Sequence, residues 1–140
     1  MSDRYFRLRL ECGYEQPGNA VAQLMLQKHT QEGWEDFNLN TLSPGFEIFV
    51  YAVFTCQHTY FRTNCAEQGL LLAEAYAEIE LVTDADWNLV RNLVIFKGRL
   101  LQGEPSDAVV NYIVERMRQC PVSRNIRDIP DNQTRISFGE

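Results

Sequence analysis

The stretch between Ser43-Pro44 and Gly69 constrains the fold more than any other part of the chain. Serine can accept the free N–H groups of a first helical turn and proline is tolerated at the first helical position, so the pair reads as the start of a helix. Gly69 is a natural stop, which gives a helix over Pro44 to Gln68. In its first half Phe46, Ile48, Phe49, Val50, Tyr51, Ala52, Val53 and Phe54 leave almost no polar face. Such a helix has to be covered on nearly all sides, by a sheet, by other helices or by a partner subunit. The second half, with Gln57, His58, Arg62, Asn64, Glu67 and Gln68, is expected to emerge toward solvent.

The remaining segments supply the cover. Arg4 to Cys12 alternates strictly, with Phe6, Leu8, Leu10 and Cys12 on one side and Tyr5, Arg7, Arg9 and Glu11 on the other, which predicts a strand. Pro17-Gly18 breaks it. Val21, Leu24, Met25 and Trp34 have helical spacing, so a short helix is expected from an Asn19 cap to Gly33. Asp36 to Leu42 reads as a connection with a short strand at Phe37 to Leu39. Ala73 to Leu81 alternates small apolar residues with Glu74, Tyr76, Glu78 and Glu80, and Asp84 to Asn88 turns it into a second strand, Leu89 to Leu101. Ser106 or Asp107 caps a helix bearing Val109, Val110, Ile113, Val114 and Met117, which Pro121 ends just past Cys120. Thr134 to Phe138 makes a last short strand. No repeat or linker divides the 140 residues. The expectation is one α+β domain over 1–140, with two main helices on a mostly antiparallel sheet.

Charge and cysteine usage narrow the function. A formal charge of −6 argues against a nucleic-acid partner, which needs a basic face to neutralise phosphates. No apolar run approaches the roughly 18 residues that span a bilayer, and Met1 to Tyr5 lack the apolar core of a signal peptide, so no membrane partner and a cytoplasmic location are expected. The four cysteines, at 12, 56, 65 and 120, include no Cys-x-x-Cys pair, and His29 and His58 stand at no ligand spacing to them. Neither a disulfide framework nor a zinc site follows. Cys56 and Cys120 do stand out, one inside the long apolar helix and one at the end of the second helix in the run Cys120-Pro121-Val122-Ser123. Together they point to thiol redox chemistry. Cys65, on the opposite side of its helix from Cys56, and Cys12, on an apolar strand face, read as structural.

Pro44, the apolar helix leading to Cys56, the hairpin and the second helix ending in Cys120-Pro121-Val122-Ser123 resemble the OsmC/Ohr family, the osmotically inducible and organic-hydroperoxide-resistance proteins. The match runs from about Ser43 to Asp128, as in a divergent OsmC-like member. The resemblance implies an OsmC-like fold and an intertwined homodimer with the long helices at its centre. It also implies thiol-dependent reduction of organic hydroperoxides, with Cys56 matching the peroxide-attacking cysteine and Cys120 the resolving one. No metal or organic cofactor is implied, and an external dithiol, lipoyl or thioredoxin-like, would be the reductant. In the family an arginine from the N-terminal region, held by a glutamate near the start of the central helix, lowers the thiol pKa. Glu47 is the glutamate here, but it stands nine residues before Cys56 and therefore half a turn out of phase. Arg7 and Arg9 on the first strand, and Arg124 beside Cys120, are the candidate cations. Two readings from other classes compete: a non-enzymatic protein holding a small hydrophobic ligand at its dimer interface, and a purely structural dimer.

Overall fold

Residues 3–139 are described by the computed structural model. Strict alternation gives strand β1 (Arg4–Glu15). It buries Leu8, Leu10, Cys12 and Tyr14 on one face, and Arg7, Arg9 and Glu11 take the other. The helix expected from Asn19 to Gly33 does not form. Two strands replace it, β2 (Ala20–Thr30) and β3 (Gly33–Asp36), so the short strand expected at Phe37 to Leu39 lies a few residues earlier.

The cause is a bulge. Tyr14 stands opposite Val21 and Gly13 opposite Gln23, so the register skips Ala22. Val21 and Leu24 therefore face the same side although they are three residues apart, and a strand acquires helix-like spacing. Asn19 is no helix cap either. It sits in the turn before β2 at φ 53°, a left-handed conformation that asparagine tolerates.

The hairpin forms as expected, β4 (Leu71–Thr83) against β5 (Leu89–Gln102), both antiparallel. The last strand, β6 (Asp131–Phe138), runs parallel to β5. The six strands make one sheet in the order β3-β2-β1-β4-β5-β6.

Helix α1 (Gly45–Glu67) lies on the sheet face that carries Leu8, Leu10, Ala77, Ile79, Val94 and Phe96, with α2 (Asp107–Arg118) beside it. Ser106 caps α2 through a hydrogen bond from the Val109 N–H. Ser43 does not cap α1: its hydroxyl accepts from the Asn40 N–H at 3.0 Å, and Pro44 holds the cap position without a side-chain bond.

One buried side chain ties three of these pieces together. Asn19 is fully buried. Its amide nitrogen donates to the carbonyls of Arg62 and Leu70, both at 3.0 Å. Its oxygen accepts from the Leu72 N–H at 2.8 Å and from Gln16 at 2.7 Å. The β1–β2 turn, the last turns of α1 and the start of β4 thus share one amide. Among the described residues, no helix is long and apolar enough to cross a membrane.

Candidate thiol site

Cys56 sits in the middle of α1, on a face it shares with Phe49, Ala52 and Tyr60. That face points away from the sheet, and all four residues are only partly buried. Cys120 follows the last turn of α2 and is fully buried. Pro121, lacking an N–H and disfavouring helix in the residue before it, turns the chain there. A 3-10 turn, Ser123–Ile126, comes next and folds the run back onto α1.

The fold brings the two cysteines together. The Cys120 thiol and the Val122 backbone N–H both lie close enough to the Cys56 sulfur to influence its ionisation. The next amide along, Ser123 N–H, donates to the Cys120 Sγ at 3.3 Å. The head of this short turn thus presents backbone N–H groups toward the two sulfurs, an arrangement that favours developing negative charge. Burial is the larger influence on Cys56. Together with the neighbouring Cys120 thiol it pushes the thiol up to about 11, against the opposing pull of the Val122 amide.

Gln57 accounts for the seating of the turn. The second half of α1 was expected to face solvent, yet Gln57, His58 and Asn64 are buried, and each has a partner. Gln57 Nε2 donates to Ser123 Oγ at 2.9 Å, and its Oε1 accepts from Thr134 Oγ1 at 3.3 Å. His58 Nε2 is hydrogen-bonded to the Tyr14 hydroxyl at 2.8 Å, away from Cys56. Asn64 donates back to the Tyr60 carbonyl.

The remaining predicted residues lie elsewhere. Arg7 and Arg9 project from the sheet face opposite α1. Arg7 pairs with Glu78 at 3.0 Å, Arg9 donates to Gln27 at 2.8 Å, and both guanidinium groups lie over the Trp34 ring. Neither borders Cys56 in the protomer. Arg124 is exposed on the 3-10 turn.

Glu47 faces the sheet, as its half-turn offset from Cys56 dictates, and there it pairs with Lys28 at 3.4 Å. Lys28 stands opposite Leu8 in the β1–β2 register, so it points to the helix side. The cation that Glu47 holds is thus a lysine, and the helix-like spacing of β2 conceals it in the sequence, because only a strand puts Lys28 on this side. Cys12 and Cys65 are buried, and burial pushes Cys65 up to about 12. Among the described residues no group of three or more His, Cys, Asp or Glu is placed to hold a metal ion.

Among solved structures the chain is similar to an OsmC-like hydroperoxide resistance protein from Jannaschia sp. CCS1, with a TM-score of 0.58 at 12% identity over 89% of this chain and 87% of that one. A putative osmotic stress induced and detoxification response protein from Psychrobacter arcticus 273-4 matches with a TM-score of 0.53 at 13% identity, over 90% and 85% of the two chains. An OsmC-like protein from Mycoplasma pneumoniae matches with a TM-score of 0.52 at 6% identity, over 82% and 87%. No family model and no curated protein matches the sequence. At these identities the likeness establishes the fold.

Proposed function

We propose that this divergent protein of the OsmC-like fold is a thiol-dependent peroxidase that reduces organic hydroperoxides to alcohols, working as a homodimer. The meeting of Cys56 and Cys120 carries the reading: two thiols far apart in sequence are brought close enough to influence each other's ionisation, in a site where the Cys120 sulfur also receives the Ser123 N–H. A Cys56 thiolate attacks the distal oxygen of the hydroperoxide. The O–O bond breaks, the alkoxide leaves and is protonated to the alcohol, and Cys56 becomes a sulfenic acid. Cys120 sulfur then attacks the Cys56 sulfur, forming the disulfide as hydroxide leaves and takes up the thiol proton as water. An external dithiol of lipoyl or thioredoxin type returns both thiols by exchange, and is itself oxidised to its disulfide. Phe49, Ala52 and Tyr60, which share the open face of α1 with Cys56, suit an organic substrate better than hydrogen peroxide.

Exposed apolar residues support the dimer. Leu24 and Val21 stand opposite the buried Cys12 and Tyr14, so they point to the helix side of the sheet, yet they are 47% and 38% exposed. Ile48 on α1 is 42% exposed. A second α1 laid against this side would cover them.

The dimer also offers a source for the missing charge. With its pKa near 11, Cys56 would be thiolate in about one molecule in ten thousand at pH 7, and among the described residues of its own protomer no cation counts among the influences on it. The Lys28–Glu47 pair, held on the helix side of the sheet, is the group a second copy would bring to Cys56.

The test is consumption of cumene hydroperoxide with a dithiol reductant. Turnover should vanish in Cys56→Ser, and Cys120→Ser should accumulate a trappable sulfenic acid. Wild-type turnover no faster than the free dithiol would sink the peroxidase. Lys28→Met should slow the reaction at pH 7 more than tenfold, with recovery as pH rises; an unchanged rate would place the activating cation elsewhere.

A further inference from the structure

Gln57 is a polar side chain in a position the core would accept as apolar. It is 1% exposed, and a buried primary amide without partners costs several kcal/mol relative to water. Its partners are not scattered through the core. The nitrogen end is spent on Ser123, within the cysteine turn, and the oxygen end on Thr134, on the edge strand β6. Ser123 in turn donates its N–H to the Cys120 sulfur. Pro121, Arg124 and Asn125 are exposed, and among the side-chain hydrogen bonds of the described residues it is Gln57 Nε2 to Ser123 Oγ that joins α1 to this turn. The chain of bonds starts one residue after Cys56 and ends on Cys120.

We propose that Gln57 is the positioning residue for disulfide formation, its buried amide clamping the Cys120–Ser123 turn so that Cys120 stays within reach of Cys56. Gln57 touches neither sulfur and acts through Ser123. When Cys56 is oxidised, attack by Cys120 requires the turn to move only as far as an S–S bond demands. A turn released from α1 would search a wider volume, and the effective concentration of one thiol at the other would fall. The catalytic consequence rests on the peroxidase reading, but the thiol geometry does not.

The experiment reads the disulfide itself. Wild type, Gln57→Met, Ser123→Ala and the double variant are equilibrated with buffers of reduced and oxidised dithiothreitol. The Cys56–Cys120 disulfide is then quantified by peptide mass spectrometry, with circular dichroism reporting the fold. Each single variant should lower the equilibrium constant for the disulfide at least tenfold. The double variant should fall no further than about twofold beyond either single, because both changes remove the same contact. In the Cys120→Ser background, Gln57→Met should leave the first oxidation of Cys56 by cumene hydroperoxide within a few-fold of its parent, a split that general loosening of the fold would not give.

A folded Gln57→Met whose disulfide constant stays within twofold of wild type overturns the proposal. If that variant does not fold, Ser123→Ala, which deletes one hydroxyl, decides by the same criterion. A disulfide shift in a wild-type background without peroxidase turnover would remove the peroxidase and keep the clamp. Intact turnover with no disulfide shift would do the reverse.

Discussion

His58 should make the fold sensitive to acid by an amount that can be worked out. Burial, with a smaller contribution from Arg62, lowers its pKa from an ordinary 6.5 to about 4. The folded state therefore holds the imidazole neutral over a range in which the unfolded chain takes up a proton. A depressed histidine pKa contributes nothing above pH 6.5 and destabilises progressively as pH falls, levelling off below 4. The loss comes to about 2 kcal/mol at pH 5 and about 3 kcal/mol at pH 4. The assay is urea unfolding at fixed protein concentration at pH 7, 5 and 4, for wild type and His58→Gln, which cannot titrate. Carboxylates lose the same stability in both proteins, so the difference between their pH dependences isolates the histidine. Wild type should lose about 2 kcal/mol more than the variant between pH 7 and 5. Equal losses would refute a neutral, buried imidazole.

Three further outcomes test the packing. Asn19→Ala removes partners from the Arg62 and Leu70 carbonyls and the Leu72 N–H, and should cost at least about 3 kcal/mol in urea unfolding, given about 1 to 3 for each orphaned buried group. Gly103→Ala should cost more than about 2 kcal/mol, because φ is +111° and an added Cβ would lie 2.5 Å from the Gly69 carbonyl oxygen. Gly18→Ala, left-handed but with nothing within 4 Å, should cost only about 1 kcal/mol. Iodoacetamide at pH 8 should modify partly exposed Cys56 well before the buried Cys12, Cys65 and Cys120, and peptide mapping that finds Cys65 labelled early would contradict its burial.

The sequence showed most where local chemistry and tertiary structure agree. The Ala73 to Leu81 alternation, the Asp84 to Asn88 turn, the Ser106 cap and the Gly69 stop each become what their residues favour locally. It misled where a tertiary irregularity alters a period, as the skipped Ala22 does by giving a strand the spacing of a helix. That single misreading also hid Lys28, since only a strand opposite Leu8 puts the lysine on the side of Glu47. Gln57 and His58 were misplaced for another reason. Polar residues on a helix suggest a wet face, and nothing local announces that Ser123, Thr134 and Tyr14 come from distant segments to satisfy them. The cysteine pair was legible because its chemistry needs two residues. The lysine that pairs with Glu47 was not, because the candidate cations were arginines, two of them on the face of β1 that turns outward.

The place of β1 in the sheet has a consequence for how the chain is made. Its neighbours are β2, which follows at once, and β4, which ends at Thr83. At ordinary synthesis speeds roughly 3 to 14 seconds separate the translation of Glu15 from that of Thr83. Through that interval a nascent chain presents Leu8 and Leu10 with one strand edge open and α1 still without its bed. The ribosome-bound chain is therefore a natural client for chaperones that shield apolar strands, and truncations anywhere between α1 and β5 should be cleared by proteolysis rather than accumulate as partial folds.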